Sequence, residues 1–346
     1  MIFLKELASS DSMVFLGMDH GTTGISFCIM DEDEKILDIF KISREESKKK
    51  TTSAIEEVKK RVNLKDIKLI AVTYAMGDGI NKILPIDKVK NRGILSIDGA
   101  GKVTGGGTSV YSELEDANIP AIIIPGLHEN STSLNKIFRA AYSHQASSEK
   151  VSISYNAFKQ TNYSDMIVAD ISSNSVNILI ENNKITGAID ACIGAMGVIH
   201  GPIDLKMIRD IDESKKTANE AFSHAGAIKI AEIDDKVSYA KNELLINYKN
   251  KDDKAILAID TLAMTVAMEI AGLAQIAENK IDKIILTGSI GCLKEPFDFE
   301  AKINKYFKNK YDIKILSPES GAIGSAQIAK DIYNGKKDIL GIEVDI

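Results

Sequence analysis

Residues 14–18 (VFLGM) form a short apolar burst that ends at Asp19, and the apolar pattern resumes over 25–30 after HGTTG, before an acidic DED turn. This spacing predicts two strands joined by a tight turn, with a third strand over 33–42. A Lys-rich polar helix over 53–62 and a strand over 67–73 extend the α/β pattern. The glycine-rich stretch 76–107 predicts irregular loops with short strands. A buried strand over 119–124 stops at Pro125-Gly126, and a helix is expected over 134–145.

A second unit then repeats the grammar of the first: strand 166–171, turn SSNS, strand 176–181, turn NN, strand 184–191. In both units an aspartate stands at or near the end of the first strand (Asp19, Asp170), small hydroxyl residues make the turn, and a second strand returns. Such duplication predicts two similar lobes. Helices are expected over 214–224, 234–246 and 252–277. In the last, Ile259, Leu262, Val266, Ile270 and Leu273 recur at helical spacing, and Asp260 and Glu269 interrupt the apolar run. A buried core helix is therefore expected rather than a membrane span. A strand over 283–286 leads into Thr-Gly-Ser-Ile-Gly, 287–291, and a strand over 313–316 leads into SPESGAIGSAQIAKDIY. Ser317 suits a helix cap and Pro318 a first turn, while Gly321, Gly324 and Ser325 form a small-residue face that invites close packing by another helix.

Composition narrows the partners. The 346 residues, 44% hydrophobic, suffice for two cores, and a net charge of -6 spread along the chain argues against a nucleic-acid groove or an anionic membrane as partner. A small ligand or a protein partner fits better. Cys28, Cys192 and Cys292 lie far apart without metal-ligand spacing, as buried small hydrophobes in a reducing cytoplasm would. The segment MIFLKELASSDS has the wrong charge order for a secretory signal, and Met13 is an alternative start.

The first hairpin has the parts of a phosphate-binding turn. Gly21 and Gly24 let the backbone approach a phosphate, Thr22 and Thr23 add hydroxyl donors, and Asp19 suits a hydrated magnesium ion. An ordinary Gly-Thr turn has the same local pattern; its duplication at Asp170 favours two clamps on one triphosphate. Glycine at the end of strand 283–286 leaves room for adenine and ribose against the backbone. His20 reads as a turn residue, because strand alternation turns it away from Asp19.

In order, GMDHGTTG, ADISSNS, ILTGSIG and GAIGSAQIA resemble the phosphate-one, phosphate-two, adenosine and second connecting motifs of the acetate and sugar kinase, heat-shock chaperone and actin superfamily. The resemblance spans residues 13–333. Within the superfamily, 91–111 (NRGILSIDGAGKVTGGGTSVY) and 137–146 (IFRAAYSHQA) are similar to the substrate segment and the histidine-bearing helix of carboxylate kinases such as acetate and butyrate kinases. The whole chain looks closest to the archaeal family called methanogenesis marker protein 12. The resemblance implies an α/β, two-lobed, actin-like (ribonuclease H-like) fold with a nucleotide cleft between the lobes. It places a first lobe at 13–150, a second at 151–317, and a helix at 318–335 that returns to the first; it leaves room for a homodimer. It implies ATP or ADP with magnesium as cofactors. Asp19 and Asp170 would orient magnesium through water and the attacking group, and Gly21, Thr22, Thr23 and Gly24 would contact β and γ phosphates. Ser172, Ser173, Asn174 and Ser175 would take the other phosphate side, and Gly288, Ser289 and Gly291 would lie beside adenosine. Arg92 would clamp a carboxylate or the migrating phosphoryl group, or be an ordinary loop arginine. His144 would stabilise a phosphoryl transition state, or simply end a helix.

The chain also departs from that pattern. Ser173 and Asn174 stand where glycines are usual, and 194–210 (GAMGVIHGPIDLKMIRD) offers His200, Asp204 and Arg209 in place of the acetate kinase arginine. The scattered cysteines do not match the iron–sulfur arrangement of radical-enzyme activators. Three functions remain open on these grounds: a phosphotransferase or ATPase acting on a small carboxylate, an accessory ATPase acting on a protein partner, and a nucleotide-sensing module without turnover.

Overall fold

The computed structural model describes residues 13–22, 24–73, 79–90, 106–234 and 239–346. Strands β1 (Val14–His20), β2 (Gly24–Asp31) and β3 (Ile36–Ser43) form an antiparallel meander. Helix α1 (Arg44–Lys49) opens on a capping box between Ser43 and Glu46, and α2 (Ala54–Lys59) is capped by Ser53. Strand β4 (Ile67–Val72) runs parallel to β1. After β5 (Leu84–Pro85) and α3 (Gly106–Asp116), β6 (Ala121–Ile123) closes a sheet of order β3-β2-β1-β4-β6-β5.

A short connection carries β7 (Leu127–His128), α4 (Lys136–Ala141) and β8 (His144–Ala146), and then α5 (Ser148–Thr161). The second meander is β9 (Met166–Ile171), β10 (Ser175–Glu181) and β11 (Lys184–Ile189). It is followed by α6 (Leu205–Asp212), α7 (Ala218–Ser223), α8 (Ile228–Ala231), α9 (Ala240–Lys249) and α10 (Asp253–Ile276). Strand β12 (Lys283–Thr287), α11 (Gly288–Gly291), α12 (Phe299–Phe307), β13 (Asp312–Ile315) and α13 (Ser320–Tyr333) complete the unit. The sheet order is β11-β10-β9-β12-β13, with β9, β12 and β13 parallel. Each sheet thus has three antiparallel strands followed by parallel neighbours, the first sheet adding β5 antiparallel at its edge, which is the predicted duplication.

Helices α5 and α13 lie between the sheets. Helix α13 packs on β1, β2 and β4, α5 packs on β9 and β10, and the two helices pack on each other. One apolar core joins Phe15 and Leu69 of the first sheet to Val168 and Ile178 of the second through Ile153, Tyr155 and Ile328. A second core lies outside the second sheet, where Ile259, Leu262, Val266, Ile270 and Leu273 of α10 are all buried as their spacing predicted. Although α10 is long and apolar enough to cross a membrane, half of its most apolar window is buried within the protein. A third core under α2 and α3 backs the first sheet.

Several expectations change. The helix expected over 134–145 ends at Ala141, because Tyr142 is extended, and His144 instead lies in β8, paired with His128 of β7. The helix expected from 214 begins only at Ala218, behind a Thr217/Glu220 capping box, and α9 begins at Ala240 rather than 234. The Thr-Gly-Ser-Ile-Gly turn contains a short helix, α11. Ser317 does not cap α13; its hydroxyl accepts from Glu319 N–H in the turn before the helix, and Pro318 precedes the first turn.

The two central helices meet at small residues. A methyl group built on Gly324 would lie 1.8 Å from the Ser152 carbonyl oxygen of α5, and one on Gly17 of β1 would lie 2.2 Å from Ala322 O and Ala326 N of α13. Gly324→Ala is expected to cost about 1–3 kcal/mol or more through overpacking. Gly272→Ala, where nothing lies within 4 Å, is expected to hold or slightly raise stability. Thermal unfolding of both variants checks this, and equal shifts would contradict the close crossing.

Candidate functional site

Strand β1 carries Asp19 and β9 carries Asp170 to the same end of the molecule, where the first turn of α5 inserts Lys150 between the two lobes. The Lys150 side chain is 3% exposed, and its Nζ lies 2.5 Å from Asp170 Oδ2 and 3.4 Å from Glu149 Oε1. Burial works against the ammonium, but the Asp170 and Glu149 charges outweigh it and hold Lys150 above its ordinary range. The other Asp170 oxygen accepts from the Ser172 hydroxyl at 3.1 Å, and that hydroxyl accepts from Ser289 N–H at 3.0 Å. Asp170 is therefore fully engaged by the protein.

Asp19 is not. Its Oδ1 is buried and has no hydrogen-bond partner among the described residues. Burial, then the neighbouring Glu149 and Asp170 charges, push its carboxyl up to about 7, against the opposing Lys150 and Lys41 ammonium groups. Gly321 of α13 leaves space for this carboxylate, since a Cβ there would lie 2.5 Å from Asp19 Oδ2. An enclosed, unpartnered carboxylate oxygen suits magnesium carried on a nucleotide, which needs only one or two protein carboxylates beside water and phosphate. Among the described residues no group of three or more His, Cys, Asp or Glu side chains forms a dedicated metal site.

The first hairpin turn is braced from outside. Arg44, opening α1, donates through Nε to the Gly21 carbonyl at 2.9 Å, with Nη2 3.2 Å from His20 Nδ1. His20 N–H donates to Thr73 Oγ1; His20 is the last residue of β1, paired with Ile25, rather than a turn residue, and burial followed by the Arg44 charge lowers it to about 3. Gly24 admits the Lys41 stem; a Cβ there would sit 2.5 Å from Lys41 Cε. Thr22 lies in the turn, half-buried; Thr23 and Arg92 lie outside the described residues.

The second hairpin turn is braced from below. The Ser172 and Ser173 carbonyls accept from Val198, Ile199 and His200 N–H groups, the Ser175 hydroxyl donates to Met196 O, and a Cβ on Gly197 would lie 2.4 Å from Asn174 Cα. No residue from Ser172 to Ser175 has a positive φ. The backbone here does not demand the glycines that Ser173 and Asn174 replace. The loop beneath is in turn fixed by Glu269 of α10, which accepts from Ala195 N–H at 2.5 Å and Asn177 Nδ2 at 2.7 Å; its burial pushes it up to about 7.

Gly288 is held at positive φ beside the second hairpin. With φ +89°, it packs against the second hairpin, and a Cβ would lie 2.2 Å from Asp170 Oδ1 and 2.6 Å from Ser172 Oγ. Gly291 faces the Ile171 side chain.

His144 belongs to a flanking group rather than to a helix. Its Nδ1 lies 3.2 Å from Asp190 Oδ2, just beyond β11, and Cys192 Sγ lies 3.5 Å from the same oxygen. Burial opposes ionisation of Asp190, but the His144 contact and the Ala191 N–H hold its carboxyl below the usual range. His200 is lowered to about 4 by burial, with Asp190 opposing and the Lys150 charge adding. Asp204 instead caps α6, and Arg209 is exposed on that helix. All three cysteines are unpaired, Cys28 fully buried and the others half-buried, and burial pushes each thiol up to about 12. Sequence reasoning missed Lys150, Glu149, Arg44 and Asp190. The only local signal for the first two was the acidic–basic pair that follows Ser147-Ser148.

Against solved structures, the chain shares the fold of kinases. It superposes on a propionate kinase from Francisella tularensis with TM-score 0.62 and 13% identity, covering 93% of this chain and 99% of that one. An acetate kinase from Porphyromonas gingivalis also gives TM-score 0.62, at 11% identity and 92% and 98% coverage. A ROK family glucokinase from Streptomyces griseus, in complex with glucose and AMPPNP, gives 0.51 at 13% identity, covering 92% and 99%. These define a two-lobed, actin-like α/β fold of the kinase type. No family model matches the chain. It is 58% identical over 334 residues to the UPF0285 protein of Methanothermobacter thermautotrophicus, covering 96% of this chain and 99% of that protein. It is 54% identical over 333 residues to the UPF0285 protein of Methanocaldococcus jannaschii, with 96% and 99% coverage. The chain belongs to the UPF0285 family.

The raised carboxyl of Asp19 has a stability consequence. The folded protein keeps a proton on Asp19 up to about pH 7, while the unfolded chain releases it near pH 4. Stability from this group is therefore lost as pH rises between those values. Asp19→Asn is expected to raise the melting temperature at pH 8, with a gain that shrinks toward pH 5. A gain of the same size at both pH values would show that Asp19 does not titrate in this way.

Proposed function

We propose that the protein binds a magnesium–ATP complex in the cleft between the Asp19 and Asp170 hairpins and hydrolyses or transfers the terminal phosphate. The observation that supports this most is the pair of hairpins at mirrored positions in the duplicated fold, one with an open carboxylate and one locked to a buried ammonium. Phosphoryl transfer requires positioning and charge neutralisation more than covalent chemistry. Magnesium, when bound, neutralises phosphate charge. Asp19 offers it a lone carboxylate oxygen, the Gly21–Gly24 turn, braced by Arg44, presents backbone to phosphate, and the Ser172–Ser175 turn faces it from the other lobe. Closure of the lobes excludes water, which strengthens each of these interactions.

His144, oriented by Asp190, and Arg92 are assigned to the acceptor side, with a small carboxylate as the favoured acceptor class. That assignment follows the carboxylate-kinase resemblance and the kinase fold. A role in methanogenesis rests on the sequence resemblance to the marker family alone.

ADP release from magnesium–ATP, measured with and without a panel of short carboxylic acids, tests this reading. Wild-type protein is expected to release ADP, and Asp19→Asn is expected to lower the rate by at least 100-fold while the fold persists. Unchanged turnover in Asp19→Asn would remove Asp19 from the site. Release raised by no acid points to a protein partner instead, and binding without any release points to a nucleotide sensor.

A further inference from the structure

We propose that Lys150 is a fixed cation for the terminal phosphate of the bound nucleotide, so that an ammonium in the interlobe helix separates triphosphate from diphosphate. This rests on the nucleotide-cleft reading above and adds to it the residue that reads the third phosphate.

Lys150 is a buried cation at a helix position that does not favour one. It sits in the first turn of α5, where the helix dipole disfavours a cation, and it is almost wholly buried. A buried ion pair contributes little to stability over an apolar pair of the same volume. Its geometry also leaves capacity unused. An ammonium has three donors. Asp170 Oδ2 at 2.5 Å takes one, Glu149 Oε1 at 3.4 Å lies beside it as an ion pair without a hydrogen bond, and among the described residues Lys150 has no other hydrogen-bond acceptor. Two residues earlier the Ser148 hydroxyl is buried without a hydrogen-bond partner among the described residues, and so is Asp19 Oδ1 of β1.

The two aspartates then have unequal tasks. Asp170, held by Lys150 and the Ser172 hydroxyl, fixes the ammonium in place, whereas Asp19 keeps an oxygen free. A terminal phosphate between the hairpins meets Lys150 from α5, and magnesium on the same phosphates meets Asp19 from β1. A diphosphate lacks the group that Lys150 contacts. Preference for triphosphate therefore resides in one side chain that belongs to neither hairpin.

Calorimetric titration with magnesium–ATP and magnesium–ADP tests this in wild type, Lys150→Met and the double variant Lys150→Met/Asp170→Asn, which removes both charges of the buried pair. Wild type is expected to bind ATP more tightly than ADP. In Lys150→Met the ratio of ATP to ADP affinity is expected to fall roughly 10- to 100-fold. General loosening of the cleft lowers both affinities together and leaves the ratio alone, so an unchanged ratio overturns the proposal while leaving nucleotide binding intact. Should Lys150→Met not fold, the double variant gives the same ratio. Wild-type protein that binds neither nucleotide overturns the cleft reading and this proposal with it.

Discussion

The crossing of α5 and α13 sets the geometry of the whole molecule. At Gly324 the backbone of α13 comes so near the Ser152 carbonyl that no side chain fits between them, and at Gly17 the first sheet approaches α13 equally closely. Ser325 ties the three elements together: its hydroxyl is 2.9 Å from Ser152 Oγ, 3.3 Å from the Met18 carbonyl and 3.0 Å from the Gly321 carbonyl. Because β1 leans on α13 and β9 on α5, this contact fixes how far Asp19 stands from Asp170. Gly321, one turn earlier on the same helix, makes room for the Asp19 carboxylate. One run of small residues thus serves both packing and the site.

Mirrored topology does not give mirrored electrostatics. The β9 hairpin spends its aspartate on a buried ammonium and a hydroxyl, and its turn is tied down by the loop that Glu269 anchors. The β1 hairpin leaves its aspartate open, enclosed near Glu149 and Asp170, where ionisation is disfavoured. Rigidity on one side and an unsatisfied carboxylate on the other are what a site that grips a charged ligand between two lobes requires.

Much of the fold was legible in the chain. Both meanders follow from apolar bursts separated by Gly-Thr, Ser-Asn or Asn-Asn turns, and α10 follows from its five-residue apolar stripe, because these patterns are set by side-chain period within one element. The small-residue face of α13 was also legible, though not its partner. Helix α5 was not: all residues from Ser148 to Ala157 except Glu149 are buried, polar and apolar alike, so burial does not sort them into two faces, and Val151, Ile153, Tyr155 and Ala157 alternate like a strand. Lys150 and Glu149 were hidden with it. His144 was expected on a helix because 137–146 resembles the histidine-bearing helix of carboxylate kinases, but the extended Tyr142 and the ladder to β7 end that helix early.

The sequence by itself determined the duplicated strand–turn–strand units, the placing of Asp19 and Asp170 near their strand ends, and the glycines that admit close backbone contact. These depend on a few neighbouring residues and on the period of their burial. Only the tertiary structure decided that Gly288 packs against Asp170, that Asp170 is bound by Lys150, and that Asp19 is left with an oxygen unpartnered among the described residues. Those outcomes are balances of burial and charge among groups far apart in the chain, and such balances exist only once the two sheets have closed on α5 and α13.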